Sequence, residues 1–190
     1  MIAGPPDRIF SFVGGVAGPW QVVRTTEVLG PSLPDAPRLA VVAGTSPVER
    51  SPAWILRGVV SNERYVTRAE KTALVRDQPP LSRPDARHAA LIPIKKSAAW
   101  WALTQDERRA IFEEQSAHIT IGRGYLPAIA RRLHHGRDLG EPFDFLTWFE
   151  FRPEDEGPFA ELLARLRATE EWKYVEREVE LRLTLSPEAG

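Results

Sequence analysis

Segments with two kinds of apolar spacing follow one another along this chain of 190 residues: the period of two of a strand and the spacing of a helix. The apolar face of each such segment must be buried against another element. Near the C-terminus, apolar residues share one face of a period-two pattern, with charged residues on the other face: Val175, Val179, Leu181, Leu183 and Leu185. Just before it, apolar residues recur at helical spacing: Phe159, Leu162, Leu163 and Leu166. The end of the chain therefore predicts an amphipathic helix followed by a half-buried strand.

Five further segments predict strands, because they are apolar and are bounded by turn-forming residues. They are residues 20–29, 39–43, 53–60, 89–94 and 143–151. Residues 66–76 are rich in helix formers, and Pro79 and Pro80 prevent this predicted helix from continuing. Thr104 and Glu107 form a capping box that begins another predicted helix, which we expect to run to about Ser116.

A third helix is predicted over residues 126–133 from apolar residues at helical spacing: Leu126, Ile129, Ala130 and Leu133. Pro127 suits its first turn. His134 and His135 then fall at the end of this helix, where a cation complements the helix dipole, so we expect them to be exposed.

The order of these elements predicts an α+β fold with helices packed on one face of an antiparallel sheet. Two ferredoxin-like halves joined into one barrel match that order. No linker is long enough to separate independent domains, and 43% apolar residues suffice for one core.

Composition excludes several classes of function. Charged residues are nearly balanced, with a net charge of −1, so we expect neither nucleic acid nor a membrane as a partner. Without cysteine, disulfides, iron–sulfur clusters, thiolate haem ligation and cysteine nucleophiles are excluded. The N-terminus lacks the long apolar stretch of a secretory signal, and no apolar run approaches the roughly 18 residues of a spanning helix. A cytoplasmic location is the expectation.

Familiar catalytic motifs are missing: the sequence contains no GxSxG, P-loop, GxGxxG after a strand, or HExxH. A catalytic site would have to use carboxylates, a histidine or a bound cofactor. Of the four histidines, His118 has small or apolar neighbours, which indicates partial burial. A buried structural histidine and a metal ligand both remain open for it, because neutral imidazole serves in either way.

From about residue 61 to residue 185 the chain resembles the short, dimeric branch of the chlorite dismutase family. Five segments in the right order carry the resemblance: 95–101, 104–118, 125–131, 140–150 and 167–172. The resemblance implies a ferredoxin-like dimeric α+β barrel with a reduced N-terminal half, residues 1–85, and a haem-binding half, residues 86–190. It also implies haem b as cofactor and a homodimer.

The activity implied by the resemblance is the conversion of chlorite to chloride and dioxygen, through ferryl haem and transient hypochlorite. His118 corresponds to the proximal ligand of the haem iron, and Arg131, 13 positions later, to the distal catalytic arginine. Glu171 corresponds to the glutamate that hydrogen-bonds the proximal imidazole, with Glu170 as the alternative. Further cofactor-binding positions correspond to Lys96, Trp100, Trp101 and Gln78, and candidate distal walls are Leu126, Thr147 and Phe149.

Other interpretations of the same residues remain. Lys96 is also consistent with a solvated lysine at a strand end, Trp100 and Trp101 with core packing, and Arg131 with a surface charge on a helix. Coproheme decarboxylases share the fold and the proximal histidine that the resemblance implies, but they typically have glutamine in place of the distal arginine and use a tyrosine. Tyr65 and Tyr125 are available tyrosines, but neither lies in a setting that matches this role. A peroxidase-like enzyme or a haem-binding module without catalysis is the further alternative, since one fold hosts many functions.

Overall fold

The computed structural model describes residues 8–45, 51–60 and 67–186, and within them the chain forms eight strands and five α-helices. The strands are β1 (Ile9–Gly15), β2 (Trp20–Leu29), β3 (Arg38–Ala43), β4 (Trp54–Val60), β5 (His88–Lys96), β6 (Ala130–His135), β7 (Phe145–Phe151) and β8 (Val175–Leu185). The helices are α1 (Arg68–Asp77), α2 (Ala98–Ala102), α3 (Gln105–Arg109), α4 (His118–Arg123) and α5 (Glu156–Arg167). Shorter helical turns are the π-helix Ala110–Gln115 and the 3₁₀ turns Arg137–Leu139, Pro153–Asp155 and Glu170–Tyr174.

The strands pair antiparallel and close into one barrel in the order β1-β3-β2-β8-β5-β7-β6-β4. The final seam, between β4 and β6, is short and joins Val59 to His135 and Val60 to His134. The prediction of an α+β barrel with an antiparallel sheet is confirmed.

Two apolar cores lie on opposite sides of the sheet, because alternate side chains of a strand point to opposite faces. The barrel interior contains large side chains from both halves of the barrel: Phe12, Leu39, Leu56, Leu91, Trp148 and Leu181. Outside, α5 packs on the sheet through the four apolar residues whose spacing predicted it, each contributing about 1.5–3 kcal/mol on burial. Helix α5 is therefore confirmed as predicted. Strand β8 is confirmed as a strand whose Val179, Leu181 and Leu183 face the barrel interior, but Val175 packs in the outer core with α5.

The charged face of β8 is buried as well, beneath α5. Arg167 at the end of α5 donates hydrogen bonds of 2.6 Å to both Glu178 and Glu180. Glu180 also accepts a hydrogen bond of 2.6 Å from Arg182. These carboxylates need such partners, since a buried charge without one is strongly unfavourable.

The helix predicted over residues 126–133 is wrong. The residues before β6 form turns, with a cis peptide bond between Leu126 and Pro127, and Ala130–His135 is a strand paired with β7. The helix in this region is instead α4, which begins eight residues earlier, at His118. The apolar spacing misled because β6 alternates between two buried faces, and pairing with β7 overrides the local preference.

His134 and His135 are therefore buried in β6, not exposed at a helix end as predicted. His134 faces the barrel interior, where it meets Phe12 edge-on and its Nδ1 donates to the Leu146 carbonyl oxygen over 3.1 Å. Burial lowers the pKa of His134 to about 4, so the ring is neutral at pH 7.

Strand β1 and the helix that follows Thr104 also differ from the sequence predictions. Strand β1 lies in the glycine- and proline-rich start of the chain, where no strand was predicted. The helix expected from Thr104 to Ser116 begins with the predicted capping box but changes to the π-helix at Ala110.

Tyr65 and the first residue of the predicted helix 66–76 lie outside the described residues, as does the start of the resembling region at residue 61. None of the helices in the described ranges has the length and apolar character needed to cross a membrane.

Candidate functional site

A cavity of about 400 Å³ lies between the outer face of the barrel and the helices that cover it. Alternate residues of β5, β6 and β7 form one wall, and α1, α4 and α5 contribute to the other. Most of this lining is apolar, including Ile92, Leu133, Phe149, Leu162 and Leu166. In an apolar cavity of this size, the few polar side chains are the groups that orient a ligand.

His118 lines the cavity as the first residue of α4. Its Nδ1 lies 2.6 Å from Oε2 of Glu171, in the 3₁₀ turn that precedes β8. A carboxylate can only accept a hydrogen bond, so Nδ1 carries the proton and Nε2 is left with a lone pair. Among the described residues, none forms a hydrogen bond with that Nε2, which is the atom suited to bind a metal.

Lys96 neutralises the same carboxylate from its other side. Its Nζ donates to Oε1 of Glu171 over 2.7 Å, and both residues are buried, so Lys96 is not a solvated lysine. Burial would raise the pKa of Glu171, but the electrostatic attraction of His118 and Lys96 and their hydrogen bonds to the carboxylate outweigh it and lower the pKa to about 2. Glu170, the alternative left open by the sequence, pairs instead with the exposed Lys173.

Arg131 reaches the cavity from β6, on the strand wall. Its guanidinium forms no hydrogen bond or ion pair with any residue in the described ranges. Burial lowers the pKa of Arg131 from its usual value, but an arginine keeps its charge at neutral pH. The helix-surface interpretation of Arg131 is therefore wrong: the cavity contains a cation that has no counter-ion among the residues the structure describes.

Gln78 follows α1 and lies beside Arg131. Its Nε2 donates to the backbone oxygen of Arg131 over 2.6 Å, so the contact is with the strand and not with the guanidinium. Gln78 thereby fixes the backbone at this position and leaves the charged end of Arg131 available. The three expected wall residues, Leu126, Thr147 and Phe149, all line the cavity.

The two tryptophans of the 95–101 segment have different surroundings. Trp100 is buried and lines the cavity, with Nζ of Lys96 4.6 Å from its ring centre. Trp101 does not line it, against the prediction. Its Nε1 donates to Asp144 over 3.2 Å, and its ring stacks on Phe145 and lies 4.0 Å from the Arg137 guanidinium.

Several cavity residues were not identified from the sequence. The Phe112 ring stacks on the imidazole of His118, with 4.3 Å between the centroids and 21° between the planes. His135 lies on the same face of β6 as Arg131, and Trp172 follows Glu171 by one residue. Had β6 been recognised as a strand, its period of two would have placed His135 beside Arg131.

Comparison with known proteins identifies the family. The sequence model of the family described as chlorite dismutase matches residues 48–185, well over half of the chain. The chain belongs to the chlorite dismutase family. The matched region includes His118, Glu171, Lys96 and Arg131, which this structure brings to one cavity.

Solved chlorite dismutases have the same fold. A dimeric chlorite dismutase from Nitrobacter winogradskyi is 56% identical, with a TM-score of 0.86, over 92% of this chain and 99% of that one. The chlorite dismutase from Candidatus Nitrospira defluvii in complex with imidazole is 31% identical, with a TM-score of 0.57, over 78% of this chain and 56% of that one. The chlorite dismutase of Ideonella dechloratans is 36% identical over 88 residues, and the match spans 46% of this chain but only 29% of that protein.

Proposed function

We propose that this chain is a haem b enzyme that converts chlorite to chloride and dioxygen. The observation that carries the proposal is the chain of contacts from Lys96 through Glu171 to His118, at the wall of an apolar cavity. The same cavity contains the cation of Arg131, which no described residue pairs with. A carboxylate–histidine pair orients a metal ligand, and an arginine binds a small oxyanion. Membership of the chlorite dismutase family supports the same conclusion.

The cavity fits a haem group in size and in donor chemistry. Its volume of about 400 Å³ lies within the range of cofactor sites, and its walls are largely apolar. His118 would supply the nitrogen that binds the iron, with Phe112 stacked on its ring. Trp100, Ile92 and Leu162 also line the cavity and would help to exclude water from the macrocycle. Trp101 is not part of this proposed binding set, because it lies behind Phe145.

On the His118 side, the neighbouring residues would set how strongly Nε2 of His118 donates to an iron. Glu171 accepts the Nδ1 proton, which holds one tautomer and makes the imidazole a stronger donor. Lys96 offsets the buried charge of Glu171, so the carboxylate stays ionised without removing the proton completely. When bound, haem supplies the redox-active iron at which chlorite is converted to chloride and dioxygen.

On the Arg131 side, a fixed positive charge would hold the anionic substrate. Within an apolar cavity a charge-assisted hydrogen bond is stronger than in water, so Arg131 binds chlorite and retains the hypochlorite that arises from it. Retention would keep hypochlorite beside the haem until dioxygen forms. The backbone bond from Gln78 to Arg131 supports this role by holding the strand in place.

The decarboxylase alternative receives less support from the cavity. Neither of the described tyrosines lines it: Tyr125 accepts a hydrogen bond of 3.3 Å from Arg165, and Tyr174 packs beside Trp100. A pocket whose described lining includes an arginine and no tyrosine favours an anionic substrate, since the groups around a haem decide its chemistry. Tyr65 lies outside the described residues.

We also propose that two ferredoxin-like halves, residues 1–85 and 86–190, form the barrel and that the protein is a homodimer. The strand order supports the first proposal, because β4, β1, β3 and β2 are contiguous, as are β8, β5, β7 and β6. The dimeric Nitrobacter winogradskyi protein, covered over 99% of its length, supports the second. Sedimentation equilibrium of the haem-loaded protein would test it, and a monomer mass would contradict it.

The function is tested by adding chlorite to haem-reconstituted protein in an oxygen electrode. We expect close to one dioxygen per chlorite, since both oxygen atoms leave together. His118→Ala should lose the stable Soret band, whereas His88→Ala is the matched control. His88 bonds Glu156 over 3.0 Å and does not line the cavity. Bound haem without oxygen release would refute the activity, and a normal Soret band in His118→Ala would refute the ligand.

A further inference from the structure

Helix α4 begins without a cap of its own. Ala117 occupies the position before its first residue, with φ of 50° in the left-handed region, and it has no side chain that could accept a hydrogen bond. The first residue of the helix is His118. A six-residue helix is weak in isolation, because nucleation costs as much as several hydrogen bonds return. The direction of the imidazole therefore depends on what holds this helix end.

Glu113, in the preceding π-helix, supplies the missing cap. One carboxylate oxygen accepts the backbone N–H of Ile119 over 2.7 Å, and the other accepts the hydroxyl of Thr120 over 2.7 Å. The backbone oxygen of Glu113 accepts the N–H of Ala117 over 2.8 Å. A single residue thus holds both sides of the turn, and its negative charge complements the positive end of the helix.

The ring of His118 is held separately from its backbone. Phe112, adjacent to Glu113, stacks on one face of the imidazole, and Glu171 binds Nδ1. The backbone N–H of Glu171 in turn donates to Oγ of the buried Ser116 over 2.8 Å. The π-helix thus directs two consecutive side chains, Phe112 and Glu113, to the histidine ring and to the helix that carries it; such helices recur at functional sites.

We propose that Glu113 is a positioning residue for His118, which fixes the imidazole in the orientation that an axial ligand needs. The proposal rests on the proposed role of His118 in binding haem. Glu113 acts through the end of α4 and does not line the cavity itself. Without the cap, the Glu171 bond would have to hold both the ring and the frayed end of the helix.

The test compares Glu113→Ala and Glu113→Gln with Glu114→Ala, a control that removes the same charge one residue further on. Glu114 is exposed and makes no contact with α4 through any hydrogen bond in the described residues. The first measurement is haem transfer from each holoprotein to excess apomyoglobin. Loss of a helix cap changes an equilibrium about tenfold, so Glu113→Ala should release haem about ten times faster than the parent.

The second measurement is the iron–histidine stretching band in the resonance Raman spectrum of the reduced protein. We expect Glu113→Ala to broaden and shift this band, because the ring samples more orientations. Glu113→Gln should be intermediate, since its amide oxygen still accepts one hydrogen bond, and Glu114→Ala should match the parent. A role confined to general stability would leave the band unchanged, and that result would overturn the proposal.

Hydrogen exchange of the Ile119 amide in haem-free protein separates this proposal from the function it rests on. Faster exchange in Glu113→Ala, with a shifted band in the holoprotein, supports positioning. Unchanged exchange of the Ile119 amide would show that Glu113 does not hold the start of α4, and would overturn the proposal. An absent iron–histidine band in the parent, with faster exchange in the variant, would remove the haem role of His118 and the positioning proposal with it, while the cap itself would stand.

Discussion

Replacing Lys96 by methionine tests how the buried carboxylate of Glu171 is stabilised. Methionine keeps much of the length of the side chain and its packing against Trp100, but removes the charge that lies 2.7 Å from Glu171. Of the two partners of Glu171, only His118 then remains. The carboxylate stays buried, since Glu171 is only 4% exposed. We expect a loss of folding stability that depends on pH.

The size of the loss follows from the pKa of Glu171, which falls from 4.5 to about 2. At about 1.4 kcal/mol for each pKa unit, the lowered pKa corresponds to about 3 kcal/mol of stability, shared between Lys96 and His118. Breaking a buried ion pair by removing one partner costs a similar amount, roughly 3–5 kcal/mol. We therefore expect Lys96→Met to lose about 3 kcal/mol at pH 7.

The sign of the pH dependence follows from the direction of the shift. A carboxyl group whose pKa is lowered on folding adds stability above its unfolded pKa, near 4.5, and this contribution is lost as the pH falls through about 2. In Lys96→Met the pKa of Glu171 rises, so that contribution shrinks. The difference between parent and variant should be largest at neutral pH and should shrink as the pH falls from 4.5 towards 2.

Urea unfolding of haem-free protein, followed by tryptophan fluorescence between pH 7 and pH 3, measures this difference without cofactor release. The neighbouring Lys95→Met is the matched control. Lys95 pairs with Glu176 at the surface, where such pairs contribute less than about 1 kcal/mol. Equal losses for the two lysine variants, or a loss in Lys96→Met that does not vary with pH, would refute the reasoning.

Two further predictions concern the cavity and its surroundings. Arg131→Ala should keep its Soret band but lose about 100-fold in oxygen release, and its haem should bleach sooner because hypochlorite escapes. Arg132→Ala is the control, because the Arg132 guanidinium lies over Phe10 on the barrel side, and it should release oxygen as the parent does. An Arg131 variant as fast and durable as the parent would contradict the retention role. Trp101→Phe should leave the Soret band and oxygen release unchanged, and should cost about 1 kcal/mol in urea unfolding through its lost hydrogen bond to Asp144. A changed Soret band in Trp101→Phe would place that residue at the haem after all.

Sequence patterns predicted the elements that bury a face of regularly spaced apolar residues. Helix α5 and strand β8 each present a run of regularly spaced apolar residues, so the burial of those apolar faces follows from spacing, whereas the burial of the charged face of β8 does not. Strand β6 buries both faces, one in the barrel and one in the cavity, and its apolar residues therefore showed no period of two. The same limitation hid the burial of His134 and His135.

The site itself depends on contacts between distant parts of the chain. The partners His118 and Glu171 are 53 residues apart, and Lys96 and Glu171 are 75 apart, distances over which local spacing carries no information. The resemblance to the chlorite dismutase family supplied the pair of His118 with Glu171, with Glu170 as the alternative, and it named Lys96 only as a cofactor-binding position. It misplaced Trp101, because adjacent residues in the short helix α2 point in different directions. It also did not indicate Phe112, whose contact with His118 arises from the π-helix.

The partition of β6 between cavity and barrel makes strand register a determinant of chemistry in this protein. Arg131 and His135 lie on one face of the strand, and His134 lies on the other, against Phe12. A slip of one residue against β7 would exchange the two sets, withdrawing the cation from the cavity and burying it in the barrel interior. A change of register in β6 would therefore also abolish oxygen release. Conversely, residues on the cavity face of β6 offer positions where substrate preference can be redesigned while the barrel interior keeps its packing.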